Sequence, residues 1–348
     1  MTVFGCGACG AALSVPVSPV TLPEHASHRS SYGPGSHDPV LEPRTYAVDP
    51  LPCGPPFRRW DQLAGGEAEA LGWYAPRSGI SGGPAGRVLL TPGDVRGMVI
   101  DPARDGDGGC CGLAGYQLNT VCAACGTAVA AWADDCGYPR EVWLDPRATR
   151  VIDDGPGPHP PLSWTDLAEH RPGIPPAEPE GYWNHVWTVA AGAATAHLLA
   201  VSGGARIRIP DPLTAAIFRP VLDRLAGSGP ERTLTLAGPG RAAADGDFAL
   251  VPVHPQTGEI WPVDPPVKPV PLAWDVWSHL AYHRDPRPAG RSVPLPPEAK
   301  AELLPGLFFP DDPTFFRVLA RRPEVRQPWL RAVYDRSRHD YRYFDFDR

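Results

Sequence analysis

The sequence predicts an α+β fold, with a mainly-β N-terminal half and a C-terminal half of α/β or α+β type. Three observations lead there. Up to about residue 151 the apolar runs are short and punctuated by turn residues, as strands are; from residue 182 helical and strand patterns alternate; between the two lies a proline-rich stretch. The expected organisation is a first domain over residues 1–152, a stiff linker over 153–181 and a second domain over 182–348. A chain of 348 residues can bury two cores without disulfides, and its 46 Pro and 37 Gly predict rigid, irregular connections.

In the first half, residues 44–49 read as extended, and 87–91 with 94–100 as a hairpin turning at Pro92-Gly93. Residues 60–71 carry a weak helical pattern. The runs 129–133 and 141–144 form a second expected hairpin. In the linker, Ser163-Trp164-Thr165-Asp166 is a capping box, in which a hydroxyl and a carboxylate satisfy the first free N–H groups of a short helix. Residues 182–202 predict a helix ended by Gly203-Gly204, followed by a short strand at 206–209. Asp211-Pro212 starts a helix reaching Leu225, which Pro220 is expected to kink or split. Residues 233–237 and 248–253 read as strands, with Thr257-Gly258 turning back into a third at 260–263. Helices over 296–304, 313–320 and 328–338 close the chain, each with Pro near its first turn.

Charge narrows the function classes. The formal net charge is −7, and residues 1–155 hold 11 Arg against 17 Asp and Glu. Phosphate neutralisation supplies most nucleic-acid affinity, so an acidic half disfavours nucleic acid as a partner. A basic stretch at 317–348, with nine Arg against five acids, reads first as a solvated helix and docked tail. No basic segment precedes an apolar run at the N-terminus, and cleavage there would remove Cys6, so a soluble cytoplasmic protein is expected.

The chemistry concentrates in two matched segments, Cys6-Gly-Ala-Cys9-Gly10-Ala-Ala12-Leu13 and Cys122-Ala-Ala-Cys125-Gly126-Thr-Ala128-Val129. Each Cys-x-x-Cys can grip one edge of a tetrahedron while the following Gly turns the chain tightly beneath the metal. Cys6, Cys9, Cys122 and Cys125 are therefore the expected ligands of one structural zinc ion. A reducing cytosol suits thiolates held by metal.

These segments resemble the knuckles of a zinc ribbon, and their Cys-x-x-Cys-Gly pairs are also similar to those of rubredoxin. The resemblance covers about 25 residues around the pairs and implies a structural metal site on a hairpin. The two pairs stand farther apart than in a compact ribbon. Rubredoxin-like pairs typically carry Pro where Ala123 stands, which favours zinc over iron. The whole chain also resembles an uncharacterised family of high-GC bacteria, and that likeness implies no activity.

A competing partition makes two metal sites. Cys111 and Cys136 flank the second pair at equal spacing, and His25 and His28 follow the first, so each pair has two further ligand-type residues nearby. Cys53 and Cys110 fit buried thiols, although adjacent Cys110-Cys111 could also serve redox chemistry. His279 and His283, four apart, could share a helical face, but no acid accompanies them at matching spacing, which favours ordinary surface or core histidines. His185 and His197 are out of register for chelation. Gly238-Pro239-Gly240-Arg241 follows a strand as a phosphate loop would, but no helix follows it.

The expected function is a zinc-binding protein with a protein-interaction or ligand-binding role, its partner a protein or a small molecule. Two alternatives stay open: an enzyme with a site between the halves using His279, His283 or Asp275, and a nucleic-acid adaptor working through residues 317–348.

Overall fold

The computed structural model describes residues 1–26, 39–104, 112–115, 117–135, 138–155, 160–177, 183–225, 227, 229–242, 245–282 and 310–340. Its architecture is α+β, in two compact units. Met1–Arg58 and Gly79–Pro161 build the first; Arg59–Ser78 and the described residues from Leu162 onward build the second.

The first unit is made of short strands: β1 (Thr2–Cys6), β2 (Ser18–Pro19), β3 (Thr45–Asp49), β4 (Phe57–Arg58), β5 (Ile80–Ser81), β6 (Arg87–Leu90), β7 (Met98–Ile100), β8 (Leu113–Ala114), β9 (Thr120–Cys122), β10 (Ala128–Asp135), β11 (Tyr138–Leu144) and β12 (Thr149–Asp154). The main sheet runs β2-β3-β6-β11-β10-β9-β7, with β8 also on β10; β1 pairs with β12, and β4 with β5. Side-chain alternation decides the two faces. Val88, Leu90, Val142 and Leu144 point to a core shared with Phe4, Leu13 and Val17, while Leu89, Trp143 and Ala47 pack with Leu41 on the other side.

The hairpin expected after the second cysteine pair is present as β10 and β11, antiparallel. The one expected at Pro92-Gly93 is not. β6 pairs with β3 and β11, and β7 pairs with β9. Pro92–Asp94 forms a 3-10 turn instead, and the next residues spend their backbone groups on the first cysteine segment: the Val15 N–H donates to Asp94 O and the Arg96 N–H to Leu13 O. The helical pattern at 60–71 is likewise broken, into a 3-10 turn at Trp60–Gln62 and one helical turn, α1 (Glu67–Ala70). Gly65-Gly66 interrupts it, and Gly66 takes φ 82°.

The second unit contains α2 (Trp164–His170), α3 (His185–Ser202), α4 (Pro212–Leu225), α5 (Trp274–Tyr282), α6 (Asp312–Ala320) and α7 (Pro328–Asp340). Four parallel strands, β13 (Arg206–Arg208), β14 (Glu231–Leu236), β15 (Phe248–Val253) and β16 (Lys268–Ala273), lie in sequence order. The capping box opens α2 as expected, Asp166 N–H donating to Ser163 Oγ at 3.2 Å and Ser163 N–H to the Asp166 carboxylate at 3.0 Å. Asn184 caps α3, its side chain accepting from Val186 N–H at 2.8 Å, and Gly203 at φ 63° ends it. α3 is apolar nearly all round, with Val186, Trp187, Val189 and Leu199, which point to different sides of the helix, all buried. Among the described residues no helix is long and apolar enough to cross a membrane.

Two readings of this half change. α4 runs unbroken through Pro220, with Ile217, Phe218 and Leu222 buried; the carbonyl that Pro220 leaves without a donor belongs to exposed Ala216. Ile260 makes one isolated bridge to Val253 rather than a strand, and the third long strand is β16. Its Pro269 and Pro271 hid it, since Pro normally argues against a strand. Lying two apart, they remove N–H groups from the same edge, and β16 is an edge strand. Residues 296–304, expected as a helix, lie outside the described residues.

Candidate metal centre

Cys6 closes β1 and Cys122 closes β9, so the first sulfur of each pair is anchored by a strand. The sequence repeat is also a conformational one. Gly10 N–H donates to Cys6 O at 2.9 Å and Gly126 N–H to Cys122 O at 2.8 Å. Cys6 N–H donates to Ala11 O, and Cys122 N–H to Thr127 O, both at 2.8 Å. Gly10 and Gly126 adopt φ 77° and 74°, a left-handed conformation that a side chain would strain. These turns aim two further donors at sulfur, the Ala11 N–H at Cys9 and the Thr127 N–H at Cys125.

The four Sγ atoms lie within 4.8 Å of one another. Cys9 and Cys122 approach to 3.6 Å, Cys6 and Cys125 to 3.7 Å, and all four thiols are free. Thiolates bind zinc at about 2.3 Å, so a regular tetrahedron around the ion has S–S edges of about 3.8 Å. The two cross contacts match that edge. Four thiolates, two of them with donated N–H bonds, are also the donor set of a closed, structural site rather than an open one. The cluster can hold a metal ion.

As free thiols Cys9 and Cys125 shift in opposite directions. The Thr127 hydroxyl, 3.3 Å from Cys125 Sγ, and then the Thr127 N–H draw the Cys125 thiol down to about 6. Cys9 moves up to about 12: its strongest single influence, the Ala11 N–H, opposes the rise, which Cys125, burial, Cys122 and Cys6 impose. So many sulfurs this close ionise together only around a cation.

A residue that the sequence reading missed joins the two segments. Gly97 O accepts the Ala123 N–H at 2.9 Å, while Arg96 N–H donates to Leu13 O at 2.8 Å. Gly97 has φ 57°, and a Cβ there would stand 2.6 Å from Ala12 O. A lone Gly between Arg96 and Met98 gives no pattern to find in advance.

Comparison with protein-family models, curated proteins and solved structures found no match. The site therefore rests on its own geometry.

The other sequence candidates are placed as follows. Cys53 is half-buried, and burial pushes its thiol up. His25 is not part of the sulfur cluster; Cys110, Cys111, Cys136, His28 and His283 lie outside the described residues, so the two-site partition does too. His279 is buried on α5 with its ring 5.5 Å from that of Trp187, and Asp275 is engaged by Arg171 at 3.0 Å. His185 and His197 both stand on α3; burial, then Arg322, push His197 down to about 4. Gly238 and Arg241 exchange both backbone hydrogen bonds, so those two N–H groups are spent inside the turn rather than offered to a phosphate. The basic stretch, expected as a solvated helix and docked tail, contains α7, which buries Leu330, Val333 and Tyr334; residues 341–348 lie outside the described residues.

Proposed function

We propose that Cys6, Cys9, Cys122 and Cys125 hold one zinc ion that fastens the first unit, in a zinc-ribbon arrangement whose two knuckles are far apart in sequence. The observation that carries this reading is the pair of matched turns bringing four sulfurs within 4.8 Å, with the two cross contacts at the tetrahedral edge length. Zinc would supply charge neutralisation and a crosslink; the chain supplies the sulfurs, the Gly-permitted turns and the N–H bonds to Cys9 and Cys125. On this reading the protein is a cytoplasmic zinc-binding protein that presents the fastened module to a protein or small-molecule partner, with nucleic acid disfavoured by the acidic charge.

Metal analysis of the purified chain tests it. About one zinc per chain is expected, and Cys122→Ser should abolish retention through gel filtration. Iron in place of zinc, or stoichiometric zinc in Cys122→Ser, would contradict the assignment; two zinc ions per chain would favour the two-site partition. Chelation should melt the first unit while the second, built on its own core of Trp187, Trp274 and Trp277, keeps its unfolding transition.

A further inference from the structure

We propose that the four-sulfur cluster is a peroxide-sensitive release site, in which oxidation forms two disulfides, Cys9–Cys122 and Cys6–Cys125, and frees the metal while the two segments stay joined. The inference rests on the zinc reading above. Its starting point is the pairing of the sulfurs. Cys9 and Cys125 are exposed, whereas Cys6 and Cys122 are 0% and 1% exposed. Each of the two close contacts joins an exposed sulfur to a buried one, and each crosses from one segment to the other.

That arrangement separates the roles chemically. A peroxide in solution reaches Cys9 and Cys125 first. The Cys9 thiolate attacks one peroxide oxygen, the O–O bond breaks, and the released hydroxide takes a proton to leave as water, giving a sulfenic acid. The Cys122 thiolate, 3.6 Å away, then attacks the Cys9 sulfur; the S–S bond forms, and hydroxide leaves and is protonated to water. Cys125 and Cys6 react in the same way across 3.7 Å. Each disulfide thus consumes one peroxide and two protons and yields two waters; sulfur is oxidised and peroxide oxygen reduced. Two disulfides leave zinc without a thiolate ligand, and the ion departs as the divalent cation.

Cross-segment pairing gives oxidation and chelation opposite structural outcomes. Chelation removes the metal crosslink between the two cysteine turns, whereas oxidation replaces it with covalent bonds that close loops of more than a hundred residues. The oxidised chain should therefore be zinc-free and still folded.

The experiment uses the full chain, with zinc content measured first. Hydrogen peroxide is added in the presence of a chromophoric zinc indicator, excess peroxide is removed, and disulfides are mapped by mass spectrometry without reduction. Expected are release of the bound zinc with two equivalents of peroxide, Cys9–Cys122 and Cys6–Cys125 as the mapped pairs, and a first-unit melting transition that survives oxidation and disappears on chelation. Reducing agent and zinc should restore the starting state, and Cys53→Ser should behave as the unaltered chain. Zinc retained under peroxide, disulfides within a segment (Cys6–Cys9 or Cys122–Cys125), or sulfinic acid at Cys9 and Cys125 without disulfides overturns this inference and leaves the zinc site standing. A purified chain that neither contains nor takes up zinc overturns both.

Discussion

Gly97→Ala tests how the two cysteine segments are held together. The substitution forces a side chain into φ 57°, which costs about 1–2 kcal/mol. It also places a Cβ 2.6 Å from Ala12 O, where contacts below 3.0 Å do not persist, so backbone must move. The hydrogen bonds that move with it are Ala123 N–H to Gly97 O and Arg96 N–H to Leu13 O, each worth about 1 kcal/mol. The expected loss is about 3–4 kcal/mol. Gly54→Ala is the matched control, because Gly54 has φ 82° with nothing within 4 Å of the added carbon. It should cost only the backbone term of about 1–2 kcal/mol. Urea unfolding of both variants in saturating zinc, followed by near-ultraviolet circular dichroism, measures the difference. Zinc release to a competing chelator should also be faster in Gly97→Ala alone. Equal destabilisation by the two substitutions would refute the claim that Gly97 is the contact between the segments.

Thr127→Val removes the hydroxyl beside Cys125 while keeping the N–H bond; competition with a chelator should show zinc affinity reduced by about 10-fold, and an unchanged affinity would mean the hydroxyl does not reach the thiolate. His197 gives a pH dependence. Its folded pKa of about 4 lies below the ordinary histidine value of 6.5, so the unfolded chain binds the proton more readily; stability is full above about pH 6.5 and falls toward pH 4, by about 3 kcal/mol in all. Denaturation at pH 7 and pH 4.5 should show that loss in the second unit, and His197→Gln should flatten it; an unchanged slope in that variant assigns the dependence elsewhere. Asn184→Ala should lower the stability of the second unit by about 1 kcal/mol through loss of the α3 cap, and calorimetry showing no shift would count against that role.

How much could be read in advance depended on whether the signal was local. The Ser163–Asp166 box, the Gly203 stop and the strands around the second cysteine pair are set by neighbours within a few residues, and each stands where the sequence puts it. The hairpin at Pro92-Gly93 failed because two strands and a turn residue carry no information about which partners compete for the strand edges; β6 found two others. β16 was hidden by a rule that holds inside a sheet and relaxes at its edge; α4 stands where the sequence puts it, and the break expected at Pro220 is absent because the carbonyl left without a donor belongs to exposed Ala216.

By itself the sequence determined which four cysteines come forward, because the Cys-x-x-Cys-Gly repeat encodes a turn whose geometry is local to five residues. It could not bring those turns together. More than a hundred residues separate them, and their approach is fixed by Gly97, by the ladder of β1 with β12 and by that of β9 with β7 and β10. Tertiary structure also decided that Arg59–Ser78 joins the second core, where Tyr334 donates to Pro76 O at 2.6 Å and Tyr74 N–H to Ala320 O at 2.7 Å. Those are contacts between residues remote in the chain, and short-range pattern does not record them.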